Sequence, residues 1–153
     1  LPTISRRQRQ MCIRDRIVSG SGIEEIYEFI CYKNKSPTEG LKAPTIGENA
    51  INGELKAHDT IKLFFSILGT IISSVILING TQCGVVIAGG ITPKLQSILS
   101  ESNFDINFLN KGRRYEYVKN IPVWLTENNN NGLIGASKAI NNPHYSSKII
   151  TNK

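Results

Sequence analysis

The sequence predicts an α/β fold in which a partial parallel sheet is joined by crossover helices. Two short apolar runs, CGVVIA at 83–88 and IPVWLT at 121–126, are rich in β-branched residues, as strands are. Segments of helical periodicity precede, separate and follow them, and the order helix, strand, helix, strand, helix describes parallel strands with crossovers. The first run ends on Gly89-Gly90 and a helix signal, Thr92-Pro93, follows at once.

Each element can be read in turn. Ile17 and Val18 are expected to be the stump of a strand, after which Ser19-Gly20-Ser21-Gly22 turns the chain. Apolar residues at 23, 26, 27, 30 and 31 have helical spacing, and Glu24 and Glu25 suit the first turn of that helix. The stretch 33–45, with Pro37, Gly40 and Pro44, reads as a loop. A short helix over 46–52 is expected to matter only as packing. A long helix over 58–78 is apolar nearly all round, which implies burial on most sides, and Asn79-Gly80-Thr81 stops it.

The run 83–88 then reads as a strand buried on both faces. The helix opened by Pro93 is expected to reach Glu101, with Leu95, Ile98 and Leu99 inward. Another short helix is expected over 104–109, and 111–120 is a basic, polar connection. Pro122 puts the second strand near an edge or at a strand start. A turn at 128–131 leads to a small-residue helix, GLIGASKAI at 132–140, and 143–153 is expected to be a frayed tail. Two or three strands make a sheet that looks truncated on its N-terminal side. No internal repeat is visible.

At 153 residues the chain fits one domain with a sizeable core. Its net charge of +6 raises the question of nucleic acid. Five of the 18 basic residues, Arg6, Arg7, Arg9, Arg14 and Arg16, lie in the first 16 positions against Asp15 alone. The remaining 13 face 11 Asp and Glu, so the body is nearly balanced and no nucleic-acid partner is expected. The string SRRQRQMCIRDR, Ser5 to Arg16, resembles the translated read-through of a sequencing adapter, so residues 1–16 are set apart as a disordered artefact. They also lack the apolar core of a secretory signal. Cys12 falls in that leader. Cys31 and Cys83 form neither a disulfide framework nor a zinc motif, fit a reducing compartment, and read as small core hydrophobes. His58 and His144 are isolated and read as structural or solvated. The sequon at Asn79 is a chance match without a secretory signal. The uncharged stretch 63–78 is 16 residues, short of the roughly 20 a bilayer requires, and reads as a buried helix rather than a membrane span.

Two phosphate-binding patterns are incomplete. Residues 132–138 have glycines and a lysine without the P-loop spacing, and Gly20 to Glu25 lacks the third glycine of a dinucleotide fingerprint. GVVIAGGITP at 84–93 is more informative. Ligands in open α/β sheets sit beyond the carboxyl ends of the strands, and glycines there let backbone lie against a flat base or a sugar. A tight turn would use the same two glycines, and spacing alone does not separate the readings.

Strand-Ala-Gly-Gly-Ile-helix resembles the adenosine motif of the sugar kinase, heat-shock protein and actin superfamily. RIVSGSG with IYEFI, the long helix ending in NGT, GVVIAGGITPK, KGRRYEYV and IPVWLTENNNNGLIGA resemble the bacterial ATP-dependent glucokinase family in the same order, over about 16–140. The run KGR, IPVWL, GLIGA is the part most particular to glucokinases. The resemblance implies the C-terminal portion of an actin-like ATPase (ribonuclease H-like) kinase domain, at 17–142. It implies ATP and Mg2+ as cofactors, D-glucose as substrate, a cytoplasmic homodimer, and no nucleic-acid or membrane partner. It places Gly89 and Gly90 in the adenosine pocket, Gly132 to Ala136 in the closing helix of the nucleotide domain, and Ser19 to Gly22 at a helix flanking the cleft. Lys111, Arg113 and Arg114 read as a solvated basic loop, with a phosphate role as the minor alternative.

The family's Asp-x-Gly-Gly-Thr phosphate loop, its catalytic Asp and its Glu-Gly-Gly-His sugar segment belong upstream, and none of these patterns occurs here. No catalytic or metal residue is therefore assigned. A glucose-binding Glu of the family would fall at Asp15, inside the adapter-like string, and is not carried over; Asp59 and Asp105 take no catalytic role. The fragment is expected to be inactive alone. A sugar kinase for another hexose, a sugar-responsive repressor on the same fold, and a small membrane protein built on 63–78 are the alternatives.

Overall fold

A computed structural model describes residues 16–127 and 130–140; the leader before Arg16, residues 128 and 129 of the expected turn, and the tail lie outside the described residues. The helices come first: α1 (Gly20–Lys33), α2 (Ala43–Ile51) and the 25-residue α3 (Leu55–Asn79). Strand β1 (Val85–Ile87) follows, then a 3-10 turn (Pro93–Leu95), α4 (Gln96–Leu99) and α5 (Phe104–Leu109). A second 3-10 turn (Gly112–Arg114), α6 (Tyr115–Val118), β2 (Val123–Leu125) and α7 (Asn131–Ile140) complete it.

Helix α3 is the axis of the core, and α1, α2 and α5 pack against it. Its buried positions include Ala57, Ile61, Phe64, Phe65, Leu68 and Ile76, which helical spacing brings to the faces met by those neighbours. Burial extends round most of its circumference, as expected: over 58–78 only Asp59, Thr70, Val75 and Ile78 are exposed. By length and a mean hydropathy of 2.3 the helix could also cross a membrane, as the buried axis of a packed core can. Its hydroxyls are satisfied from within. Thr60 Oγ1 donates to Lys56 O at 2.7 Å and Ser73 Oγ to Gly69 O at 2.8 Å, so both side chains are fully buried at little cost. Gly80, at φ 63°, ends the helix in the left-handed conformation that glycine takes most readily.

Gly69 marks the closest helix contact. A Cβ there would lie 2.5 Å from the carbonyl oxygen of Phe104, at the start of α5. The Phe104 and Phe108 rings stack at 6.0 Å. Lys111 closes the same seam. Its Nζ donates to Thr70 O at 3.1 Å and to Ser74 Oγ at 3.0 Å, so it ties the chain to α3 rather than sitting in a solvated loop. Arg113 and Arg114 are exposed. The segment expected to be a polar connection is largely helical, because Val118 is fully buried and Tyr117 Oη donates to Thr81 O at 2.9 Å.

The strands pair in parallel, with Val85 opposite Val123, Val86 opposite Trp124 and Ile87 opposite Leu125. Burial on both faces is not found. Val85, Ile87 and Val123 pack on the core, whereas Val86 is 57% and Trp124 51% exposed on the other face. Two strands with helices on one side leave that face without a second layer among the described residues. Cys83 is exposed rather than a core residue, for the same reason, while Cys31 is fully buried.

Two further expectations need correction. Arg16 and Ile17 are helical and Val18 lies in a turn, so no strand stump precedes Ser19; Arg16 pairs with Glu25. The helix from Pro93 to Glu101 is instead a 3-10 turn followed by one α-turn. Leu95, with φ −111° and ψ 16°, departs from the helix while burying its side chain.

Tyr27 sets a pH limit on this core. It is buried, and its Oη donates to Glu54 Oε1 at 3.4 Å. Burial, and then the adjacent Glu54 carboxylate, push its phenol up to about 12. The unfolded phenol ionises near 10, so this contribution is complete below pH 10 and is lost as pH rises towards 12. Tyr27→Phe should flatten the fall in melting temperature between pH 10 and pH 12; an unchanged slope would refute the assignment.

Candidate functional site

The Gly89-Gly90 turn lies just beyond the carboxyl end of β1, where Thr126 N donates to Ile87 O at 3.0 Å and closes the ladder. The two glycines differ. Gly89 has φ 135°, a conformation L side chains rarely adopt. Gly90 is not among the positive-φ residues, so a side chain there meets no backbone strain. A Cβ on either would meet nothing within 4 Å. The turn is thus enforced at Gly89, while Gly90 leaves space open.

That space is a cavity of about 310 Å³ between the turn, α1 and α2. Gly20 and Ile23 of α1 form one wall, and Pro44, Gly47 and Ile51 of α2 form another. Gly90, Ile91 and Leu95 complete it. Small residues at three of its edges let backbone approach, and the isoleucines and Leu95 make the interior apolar, as small-molecule sites mostly are. Helix α2, expected to matter only as packing, is therefore half of the site. The alanine and glycine at 43 and 47, one helical turn apart on a face with Pro44, were the signal available in the sequence.

Local structure fixes these walls. Ser19 caps α1, its Oγ accepting from Gly22 N at 3.2 Å, so Ser19 to Gly22 is the start of the helix beside the cavity. Lys42 supplies no side-chain cap to α2; Glu24 of α1 does instead, accepting from Ala43 N at 3.2 Å and from Lys42 Nζ at 3.1 Å. These two interactions hold its carboxyl below the usual range. Glu24 thus caps the neighbouring helix rather than its own.

A larger hollow of about 660 Å³ lies between the strands and the segment containing Ser100 and Phe104. Asp105 is the only titratable group in its described lining, which disfavours an anionic ligand. The other candidates sit apart. Residues 132–138 are exposed on α7 and do not line the smaller cavity. Asp59 is exposed on α3, and Asp105 is at the start of α5. His58 Nε2 lies 3.2 Å from Glu101 Oε2, a structural pairing between α3 and the segment after α4. His144 and Cys12 lie outside the described residues.

The glucokinase family model matches residues 1–143. Glucokinase from Caulobacter sp. (strain K31) is 34% identical over 129 residues, which is 84% of this chain and 39% of that protein. Glucokinase from Hahella chejuensis is 32% identical over 84% of this chain and 40% of its own length. A crystal structure of glucokinase from an Antarctic psychrotroph superposes with a TM-score of 0.74 at 32% identity, over 82% of this chain and 39% of that one. The chain therefore spans about two fifths of the length of these relatives. An α/β arrangement with a glycine pair at the carboxyl end of a parallel strand, beside an apolar cavity, agrees with these likenesses: the chain belongs to the glucokinase family.

Proposed function

We propose that this chain forms the nucleotide side of the cleft in an enzyme that transfers the γ-phosphoryl of ATP to the 6-hydroxyl of D-glucose. Gly89 and Gly90 are its adenosine-binding residues. The observation that carries the reading is the position of Gly90 in the wall of a small apolar cavity at the carboxyl end of β1. A flat base fits where Gly47 and Gly90 present no side chain and Ile23, Ile91 and Leu95 exclude water.

Phosphoryl transfer is mostly positioning and charge stabilisation. This chain's part is positioning: it holds the base so that the phosphates leave the cavity in a fixed direction. Among the described residues no group of three or more His, Cys, Asp or Glu could hold a metal, so magnesium is not fitted by these side chains and would have to be carried by phosphates. The phosphate loop, proton-accepting Asp and sugar segment of the family are absent as patterns, so the chain alone is assigned no glucose turnover. A cytoplasmic homodimer belongs to the same reading, supported by the family likeness and by the free thiols of Cys31 and Cys83.

Gly90→Val tests the site. The added side chain meets no protein atom nearby and no positive φ, so folding should survive while the cavity fills. Titration of the 153-residue chain with ATP should show affinity lowered by at least about tenfold, with the melting temperature little changed. A folded variant that binds ATP like the parent would make the glycine pair a turn and nothing more. Gly89→Val would not serve, because backbone strain there would mix folding with binding.

A further inference from the structure

The cavity carries two charged side chains, Glu48 from α2 and Lys94 from the turn after Gly90. We propose that they grip the polar part of the nucleotide, with Glu48 accepting from the ribose hydroxyls and Lys94 pairing with the phosphate chain. This assignment rests on the nucleotide reading given above and adds to it the residues that recognise sugar and phosphate.

The argument starts from where polarity lies. The inner walls are apolar, and Glu48 and Lys94 are exposed, so both stand at the mouth. A volume of about 310 Å³ is at the small end for a ligand site. A base fills the apolar interior, and the phosphates must then lie outside. A nucleotide is itself graded in this way, from flat base through hydroxylated sugar to anionic phosphate, and an amphiphilic ligand enters with its apolar end first.

The two charges are also uncommitted. Glu24 and Lys42, at the seam between the same helices, are paired with each other, and Glu25 is paired with Arg16. The Glu48 carboxylate and the Lys94 ammonium have no hydrogen-bond or ion-pair partner among the described residues. A carboxylate offers acceptors only, and a vicinal diol offers two donors; an ammonium offers donors only, and a phosphate offers acceptors. Charge-assisted bonds of this kind are the strong ones. Reversing the roles would put the carboxylate against phosphate, which like charge forbids.

The test is calorimetric titration of the full 153-residue chain with ATP, adenosine and 2′,3′-dideoxyadenosine. Lys94→Ala should weaken ATP by roughly tenfold and leave adenosine unchanged, and Lys94→Arg should restore most of the ATP affinity. Glu48→Gln should weaken ATP and adenosine alike, by roughly tenfold, and leave the dideoxy compound unaffected. If the parent chain binds neither ATP nor adenosine, the nucleotide reading falls and this assignment with it. If the parent binds both and the variants do not discriminate among the three ligands, the cavity is a nucleotide site and the assignment of Glu48 and Lys94 is wrong.

Discussion

Phe65→Ala should cost about 3–5 kcal/mol and lower the melting temperature by roughly 10 °C, the largest single loss expected in this molecule. Phe65 is fully buried on the central helix and stands edge-to-face with Phe64, centroids 5.6 Å apart. Removing the ring deletes apolar surface from water's point of view and leaves a void that rigid helical neighbours can only partly collapse into. Such pairs also contribute about 0.5–1.5 kcal/mol beyond burial. Thermal unfolding followed by circular dichroism measures the loss. A change below about 1 kcal/mol would mean that the site opens easily to water and that α3 is not the rigid axis described here.

Gly69→Ala is the second large effect, and its sign is opposite to what helix propensity alone suggests. Alanine favours a helix interior by about 1 kcal/mol over glycine. Here the new methyl would sit 2.5 Å from a backbone carbonyl and 3.3 Å from the Phe104 ring, so α3 and α5 must separate. Overpacking of this kind costs about 1–3 kcal/mol, and the net should be destabilising. Denaturant titration of the variant beside the parent decides it. A more stable variant would show that the α3–α5 contact gives way freely.

The element sequence was legible because its signals are local. Helical spacing over 23–32, the Asn79-Gly80 stop and the apolar runs at 85–87 and 123–125 are each carried by adjacent residues. The site was legible in half. The Gly89-Gly90 turn announces itself by following a strand, but its opposite wall comes from α2, some forty residues earlier, and only tertiary packing brings the two together. Burial was misjudged where it depends on neighbours. VVI has the composition of a strand covered on both sides, yet composition does not report which layers surround it. Lys111 was misread for a related reason. A lysine in a basic run looks solvated, and nothing in the run reveals the α3 carbonyl that its ammonium reaches. The strand expected at Ile17 and Val18 failed because two apolar residues are too few to carry a period.

The exposed position of Trp124 has an optical consequence. It is the only tryptophan in the chain, so all indole emission comes from the uncovered side of the two-stranded sheet. The ring rests against Gly84, where a Cβ would come within 2.3 Å of it, so its orientation is held while half its surface remains wet. The protein therefore carries a built-in fluorophore on this face of the sheet, and any layer that covered the face would shift its emission to the blue with no label attached.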